Sequence, residues 1–343
     1  MNYLPKNLSF KEGVAYIGET SLIDIAKNYG TPLYVYDWEH LKDNINVFTD
    51  AFGKDTLFRY AAKAFISKAL VKELDEEGWG IDVVSGGEMA TVHETVGTLK
   101  NTVFNGTFKR TDEIEYFIQN NGGHISIDNR YEIDMLDKVA STLNKKQQVI
   151  MRINLDVGAE THPMVLTSGY DQQFGISIGF AEEALGQIAS SKSLLFSGIH
   201  VHVGSQIKDP KRYKLAMTSC ADFMNTHLEK VEGEAVFNAG GGFFSPYAGD
   251  EVDHELSVYS QAIHDGVKEH WSEAYRVMIE PGRALVNNPG VILYTAGAIK
   301  SDRGEKPYIL VDGGMSDNPR PALYGSEHKL FNISGGKSDK EAV

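Results

Sequence analysis

Apolar, β-rich runs recur along the chain at residues 57–61, 81–84, 102–104, 125–127, 149–153, 198–203, 235–238 and 277–279. Between them, apolar residues fall at helical spacing: Ala69, Leu70 and Leu74 within 67–77, and Tyr213, Met217, Cys220, Met224 and Leu228 within 211–230. Asp112, after Thr111, and Asn129, before the stretch 131–139, have the character of helix N-caps. Eight strands alternating with helices predict a parallel sheet, because each crossover must return the chain to the same end. Eight is also the number that closes a (β/α)8 barrel, and the units span residues 36–284, close to the roughly 250 residues usual for that fold.

The flanks break this rhythm. Residues 1–35 and 285–343 hold short strand-like pieces, at 290–299 and 308–311, and predict an incomplete β-rich second domain made from both chain ends. The stretch 334–343 is polar and reads as a frayed tail.

Charge narrows the partners. With 47 acidic and 33 basic residues, the formal net charge of −14 argues against a nucleic-acid backbone or an anionic membrane surface as a partner. A lone cysteine, Cys220, excludes an internal disulfide and a CxxC-type metal site, and its helical setting marks it as core. The opening residues lack the apolar stretch of a signal peptide, and no run approaches a membrane span, so a cytoplasmic protein is expected.

A barrel of this type carries its chemistry at the C-terminal ends of its strands, and those ends are polar or glycine-rich throughout. The first run leads into Lys63; the second contains Asp82 and leads into Ser85-Gly-Gly-Glu88; Asn105-Gly106, Asp128-Asn129 and Arg152 follow. His202 to Ser205, Gly240-Gly241-Gly242 and Glu280-Pro-Gly-Arg283 complete the ring. Lys63 is either a snorkelling surface residue or an amine held in a pocket, where desolvation would depress its pKa and allow a Schiff base. The glycine triplet is either a flexible turn or a set of open N–H groups that suits a phosphate. His200 and His202 share one face of a strand, with His202 nearer the catalytic end and able to stack on a cofactor ring. Glu280 is either a rim salt bridge or a carboxylate at a pyridine nitrogen. A lysine for an aldehyde and a cradle for a phosphate together suggest pyridoxal phosphate.

Six ordered strings carry a resemblance: Tyr60-Ala-Ala-Lys-Ala64, Gly80-Ile-Asp-Val-Val-Ser-Gly-Gly-Glu88, His202-Val-Gly-Ser-Gln206, Gly240-Gly-Gly242, Glu280-Pro-Gly-Arg283 and Val311-Asp-Gly-Gly-Met315 with Arg320-Pro-Ala-Leu-Tyr324. The chain resembles the fold-type III pyridoxal-phosphate decarboxylases over residues 30–330, and within them the diaminopimelate decarboxylases. The resemblance implies Lys63 as the Schiff-base lysine, His202 stacked on the ring, Ser205 and Gly240 to Gly242 on the phosphate, and Glu280 at the pyridine nitrogen. It also implies Arg283, Arg320 and Tyr324 as holders of substrate carboxylates, a role that suits the bidentate guanidinium. Asp82, Glu88 and Arg152 would orient these groups.

The implied reaction is loss of CO2 from meso-2,6-diaminopimelate to give L-lysine. Glu280 favours it over racemisation, since related racemases present an arginine to the ring nitrogen. A sibling decarboxylase of ornithine, lysine, arginine or carboxynorspermidine, or a catalytically silent pyridoxal-phosphate-binding partner protein, are the competing readings. Arg320 favours diaminopimelate, because a distal carboxylate needs a cation.

Two departures stand beside the match. The family continues with a Cys-Glu-Ser-Gly-Asp type segment thought to reach the partner's active site, whereas this sequence stops at Val343 with Cys220 as its only cysteine. A homodimer, or a second chain supplying that segment, is the expected assembly. Gln172-Gln173-Phe174-Gly175 stands where many relatives have Ser-Lys-Phe-Gly, which removes a positive charge from a family dimer contact.

Overall fold

The computed structural model describes residues 4–155, 173–246, 255–301, 307–325 and 328–334. Position 172 and the tail after Ser334 lie outside them. The chain divides into two compact units, one made of Val47–Phe244 and His254–Ala284, the other of Met1–Asn46, Ser245–Asp253 and Leu285–Val343.

The first unit is a closed barrel of eight parallel strands: β1 (Leu57–Ala61), β2 (Gly80–Val83), β3 (Thr102–Phe104), β4 (His124–Ile127), β5 (Gln147–Asn154), β6 (Leu194–His200), β7 (Ala235–Asn238) and β8 (Tyr275–Ile279). Each pairs with the next, and β8 pairs with β1 through Met278 and Leu57. A short strand, Ile176–Ser177, adds to the end of β5.

The barrel interior is built in tiers. Leu57, Val103, Ile150 and Val236 come from β1, β3, β5 and β7 and pack together with Met278. One side chain from each odd strand is the layered filling expected of this barrel. Because strand side chains alternate, the residue two positions further along lies on the same face. That residue is Asn105 after β3, Arg152 on β5 and Asn238 on β7, so an apolar floor gives way to a polar tier toward the strands' C-terminal ends. The even strands add Asp82, Ser126, His200 and, just past β8, Glu280, all buried.

Helices cover the outside. Lys68–Glu76 starts where Ser67 accepts the Leu70 N–H at 3.2 Å, and it buries Leu70, Val71 and Leu74. Each such side chain stabilises the fold by about 1.5–3 kcal/mol on burial. The N-cap of Tyr131–Thr142 is Arg130, not Asn129; Asn129, one residue earlier, still accepts the Glu132 N–H at 3.2 Å. Asp112 does not cap: helix Thr111–Gln119 already includes it, and Glu113 reaches back to the Arg110 N–H at 3.1 Å. The helical stretch after residue 210 stops at Thr226, followed by the single turn Leu228–Lys230.

The second unit draws on both chain ends. It contains a sheet of Leu8–Lys11, Val14–Ile17 and Thr20–Ser21, and antiparallel pairs of Leu33–Tyr36 with Gly290–Leu293 and of Ala296–Lys300 with Tyr308–Val311. Its core gathers Ala15, Leu22 and Leu293, with Leu33, Val35 and Ile333 against them. Among the described residues, no helix is long and apolar enough to cross a membrane.

Candidate active site

Lys63 lies in the tight turn Ala62–Ala64 at the end of β1. Its Nζ donates to Asp82 Oδ2 at 3.0 Å, with the lysine side chain 54% exposed and Asp82 fully buried. Of the two readings the sequence leaves open, the pocket amine carries a pKa depressed by desolvation; the surroundings of Lys63 act in the other direction. The adjacent Asp82 carboxylate raises the Lys63 pKa above its usual value, and burial, which pulls down, is the smaller influence. Asp82 is itself pushed up, by burial first and by the Glu280 charge, against the opposing pull of Lys63 and Asn105.

Three groups converge on Glu280. Asn105 Nδ2 donates to Asp82 Oδ1 and to Glu280 Oε1, both at 2.8 Å. Asn238 Nδ2 donates to the same Oε1 at 2.6 Å, and its Oδ1 accepts the Gly240 N–H at 2.9 Å. His200 Nε2 lies 3.4 Å from Glu280 Oε2, and His200 Nδ1 lies 3.0 Å from Ser126 Oγ. Burial holds His200 far below the usual histidine range, so it faces Glu280 as a neutral ring. Asn105 and Glu280 follow β3 and β8, three places apart round the barrel, so the network bridges strands that do not pair with each other.

His202 lies beyond β6, which ends at His200; the expected strand to residue 203 is cut short, although the Val201 N–H still reaches Asn238 O at 2.9 Å. Burial, followed by the charges of Lys63 and Arg152, pushes His202 down to about 3. It is a neutral ring with Nδ1 accepting the Gly241 N–H at 3.4 Å.

The glycine triplet is not a slack turn. Gly240 and Gly242 adopt φ of +68° and +96°, and a Cβ there would sit 2.6 Å from Val201 O and 2.1 Å from Gly204 O. Glycine is needed because the backbone runs against its neighbours in a left-handed conformation. Tyr213 supports the turn, donating to Gly241 O at 2.8 Å while stacking on Phe243 at 5.3 Å. Since Asn238 occupies the Gly240 N–H and His202 the Gly241 N–H, Gly242 is the member of the triplet left for a phosphate cradle.

Glu88 acts locally. Its Oε2 accepts the Val84 N–H at 2.6 Å while Ser85 Oγ accepts the Glu88 N–H at 3.3 Å. Ser85-Gly-Gly-Glu88 is a cap of helix Gly86–Val96. Arg152 Nη1 reaches Asp128 Oδ1 at 3.3 Å, and its guanidinium covers the Phe174 ring at 4.8 Å. Ser205 is exposed in the loop after His202, and Arg283 opens the short helix Arg283–Val286. Arg320 and Tyr324 belong to the other unit, in helix Arg320–Tyr324.

A buried pair, Lys109 with Glu132, has little sign in the sequence. Lys109 Nζ, with no exposed side-chain surface, donates to Glu132 Oε2 at 3.0 Å and to Gly106 O at 2.8 Å. Glu132 Oε2 also accepts the Asp128 N–H at 3.0 Å. The one available signal was a lysine three residues past Gly106, in the loop after a barrel strand.

The residues around Lys63 fit pyridoxal phosphate by their own chemistry. A reachable amine, a buried carboxylate with two amide donors on one oxygen, a neutral imidazole and a glycine turn all belong to one barrel. The sequence model described as the pyridoxal-dependent decarboxylase, pyridoxal binding domain, matches residues 38–287. The diaminopimelate decarboxylase of Bacillus methanolicus is 35% identical over 96% of this chain and 79% of its own length. That of Bacillus subtilis is also 35% identical, over 93% of this chain and 75% of its own. The crystal structure of diaminopimelate decarboxylase from M. jannaschii in co-complex with L-lysine superposes with a TM-score of 0.87 at 31% identity, covering 96% of this chain and 78% of that one. A lysine/ornithine decarboxylase from Vibrio vulnificus, at 20% identity and a TM-score of 0.75, shares the fold. Likeness of this depth, over nearly the whole chain, exceeds a common barrel: the chain belongs to the pyridoxal-dependent decarboxylases, among the relatives named diaminopimelate decarboxylase.

Proposed function

We propose that the protein decarboxylates meso-2,6-diaminopimelate: the carboxylate on one α-carbon leaves as CO2, a proton takes its place, and L-lysine is released. The observation that carries this reading is the link from Lys63 Nζ through Asp82 and Asn105 to Glu280, an amine and a buried carboxylate joined across one barrel mouth. The choice of substrate rests on the relatives, one of them seen with L-lysine.

Bound pyridoxal phosphate supplies an aldehyde for amines and a ring that withdraws electrons from the α-carbon. The chain's residues do the rest. Lys63 would supply the amine that holds the cofactor's aldehyde, and Asp82 Oδ2, 3.0 Å from Nζ, is placed to take its proton. Glu280 would hold a proton on the pyridine nitrogen of the bound cofactor. His202 offers a neutral ring face for stacking, and Ser205 with the glycine turn takes the phosphate. Arg283, Arg320 and Tyr324 are assigned to the substrate's carboxylates on the family resemblance, and Arg320 favours a substrate with a distal carboxylate over one with a distal amine.

The protein acts in the cytoplasm, as a homodimer. Support for pairing comes from Ala296–Lys300 and Tyr308–Val311, whose residues, Ile299, Tyr308, Ile309, Leu310 and Val311 included, are all exposed. Such exposed apolar surface marks association. Light scattering on the purified protein checks the dimer.

The deciding experiment incubates the protein with pyridoxal phosphate and meso-diaminopimelate, ornithine, lysine or arginine in turn, and quantifies CO2 and amine. Lysine from diaminopimelate is the expected result. Turnover of ornithine, lysine or arginine in its place would overturn the substrate.

A further inference from the structure

Glu280 Oε1 accepts two amide N–H groups from residues 175 and 42 positions away in the chain. Both donors are buried and neutral. Asn105 is held in one orientation, since a flipped amide would put its carbonyl oxygen against two carboxylate oxygens at 2.8 Å. The cost of that orientation is visible: Asn105 Oδ1 is buried with no hydrogen-bond partner among the described residues. Native structures rarely leave such an atom unsatisfied, and where they do, a functional site is a common reason. Asn238 is equally committed, with Nδ2 on Glu280 and Oδ1 on the Gly240 N–H.

We propose that Asn105 and Asn238 are positioning residues for the decarboxylation. Together they clamp Glu280 by Oε1, which would leave Oε2, beside His200 Nε2, for the pyridine nitrogen of a bound cofactor. Asn105 ties that carboxylate to Asp82, the partner of Lys63, and Asn238 ties it to the glycine turn. The groups at the two ends of the cofactor and at its phosphate are thereby spaced by two uncharged side chains. Amides suit this role because they donate without carrying or changing charge, whereas a cation would compete for the carboxylate. The other titratable groups facing Glu280 are His200, with Nε2 3.4 Å from Oε2, and, through space, Lys63, Asp82 and Arg59. This inference rests on the decarboxylase reading.

Asn105→Asp and Asn238→Asp preserve side-chain size and replace the donor by an oxygen; N238D still accepts the Gly240 N–H. Loaded with pyridoxal phosphate, each variant is read by the bound cofactor's absorbance from about pH 5 to 9, by the cofactor Kd, and by kcat and KM. The added negative charge should move the spectral midpoint upward by about one pH unit or more. Loss of one charge-assisted hydrogen bond should lower kcat roughly 10- to 100-fold, with KM within about threefold of the parent. A merely structural role would leave the midpoint in place. Should N238D fail to fold, N238D/E280Q restores a donor opposite the new acid and should recover the fold without cofactor. A midpoint and kcat within about twofold of the parent in both variants, or no recovery by E280Q, overturns the proposal. If the parent binds pyridoxal phosphate yet releases no lysine from diaminopimelate, the substrate reading fails, and the spectral and folding measurements still decide the clamp.

Discussion

Lys109→Met should destabilise the barrel unit severely, and for a reason that a second substitution can isolate. The Lys109 ammonium lies wholly inside the protein, 3.0 Å from Glu132 Oε2 and 5.7 Å from the Phe104 ring centre. Burial pulls Lys109 below and Glu132 above their usual pKa values, and the mutual attraction opposes both shifts. Methionine retains most of the aliphatic stem, so packing changes little. What remains is a buried carboxylate still accepting the Asp128 N–H at 3.0 Å but stripped of its cation. Breaking a buried pair in this way costs about 3–5 kcal/mol. K109M/E132Q removes the stranded charge and can still accept the Asp128 N–H, so it should recover all but about 1–2 kcal/mol. Urea unfolding at neutral pH measures both, with buried Trp79 and Trp271 reporting from the barrel. The pH response has a definite sign. A folded-state Glu132 pKa above the unfolded value makes the native state bind more protons, so K109M should regain stability as the pH falls from about 7 to 5. K109M as stable as the parent, or no gain from adding E132Q, would refute this reasoning.

Three further outcomes follow from other buried groups. Arg59 is 7% exposed, its Nη1 donates to Phe58 O at 2.8 Å and its Nε has no partner among the described residues, so Arg59→Met should leave stability unchanged or raise it by about 1–3 kcal/mol in urea unfolding; a loss of about 2 kcal/mol would count against it. His124 is pushed from 6.5 to about 4 by burial, so the unfolded chain binds the extra proton and stability falls as the pH drops from 6.5 toward 4. At 1.36 kcal/mol per unit that is about 3 kcal/mol, and His124→Gln should flatten this part of the stability profile. Cys220 is buried and pushed up to about 12, so native protein should resist iodoacetamide at pH 8 while urea-unfolded protein is alkylated within minutes; equal rates would show the helix to be open.

How much of the molecule is legible from sequence differs from residue to residue. The runs at 57–61, 102–104 and 235–238 coincide with β1, β3 and β7, because largely buried strands are mostly apolar, with few polar members such as Arg59 and Asn238. The extent of β6 is not legible in this way: the run 198–203 stays largely apolar past His200, yet the parallel pairing with β5 and β7 stops there, and pairing is a property of neighbouring strands. Glu88 resembles part of the site because it ends a family string, while its carboxylate closes a helix cap four residues from Val84.

The sequence by itself determined the barrel and offered the lysine, glycine turn and carboxylate that point to pyridoxal phosphate. Those signals are local: strand and helix periods, and short strings at strand ends. Only the tertiary structure decided the charged partner of Lys63, a carboxylate 19 residues away brought to 3.0 Å. It alone decided that Asn105 and Asn238 meet on one oxygen of Glu280, and that Lys109 finds Glu132 inside the protein. The physical reason is the closure of the barrel. Closure turns eight strand ends, spread over more than half the chain, into a single ring where solvent is excluded and every charge is felt by its neighbours.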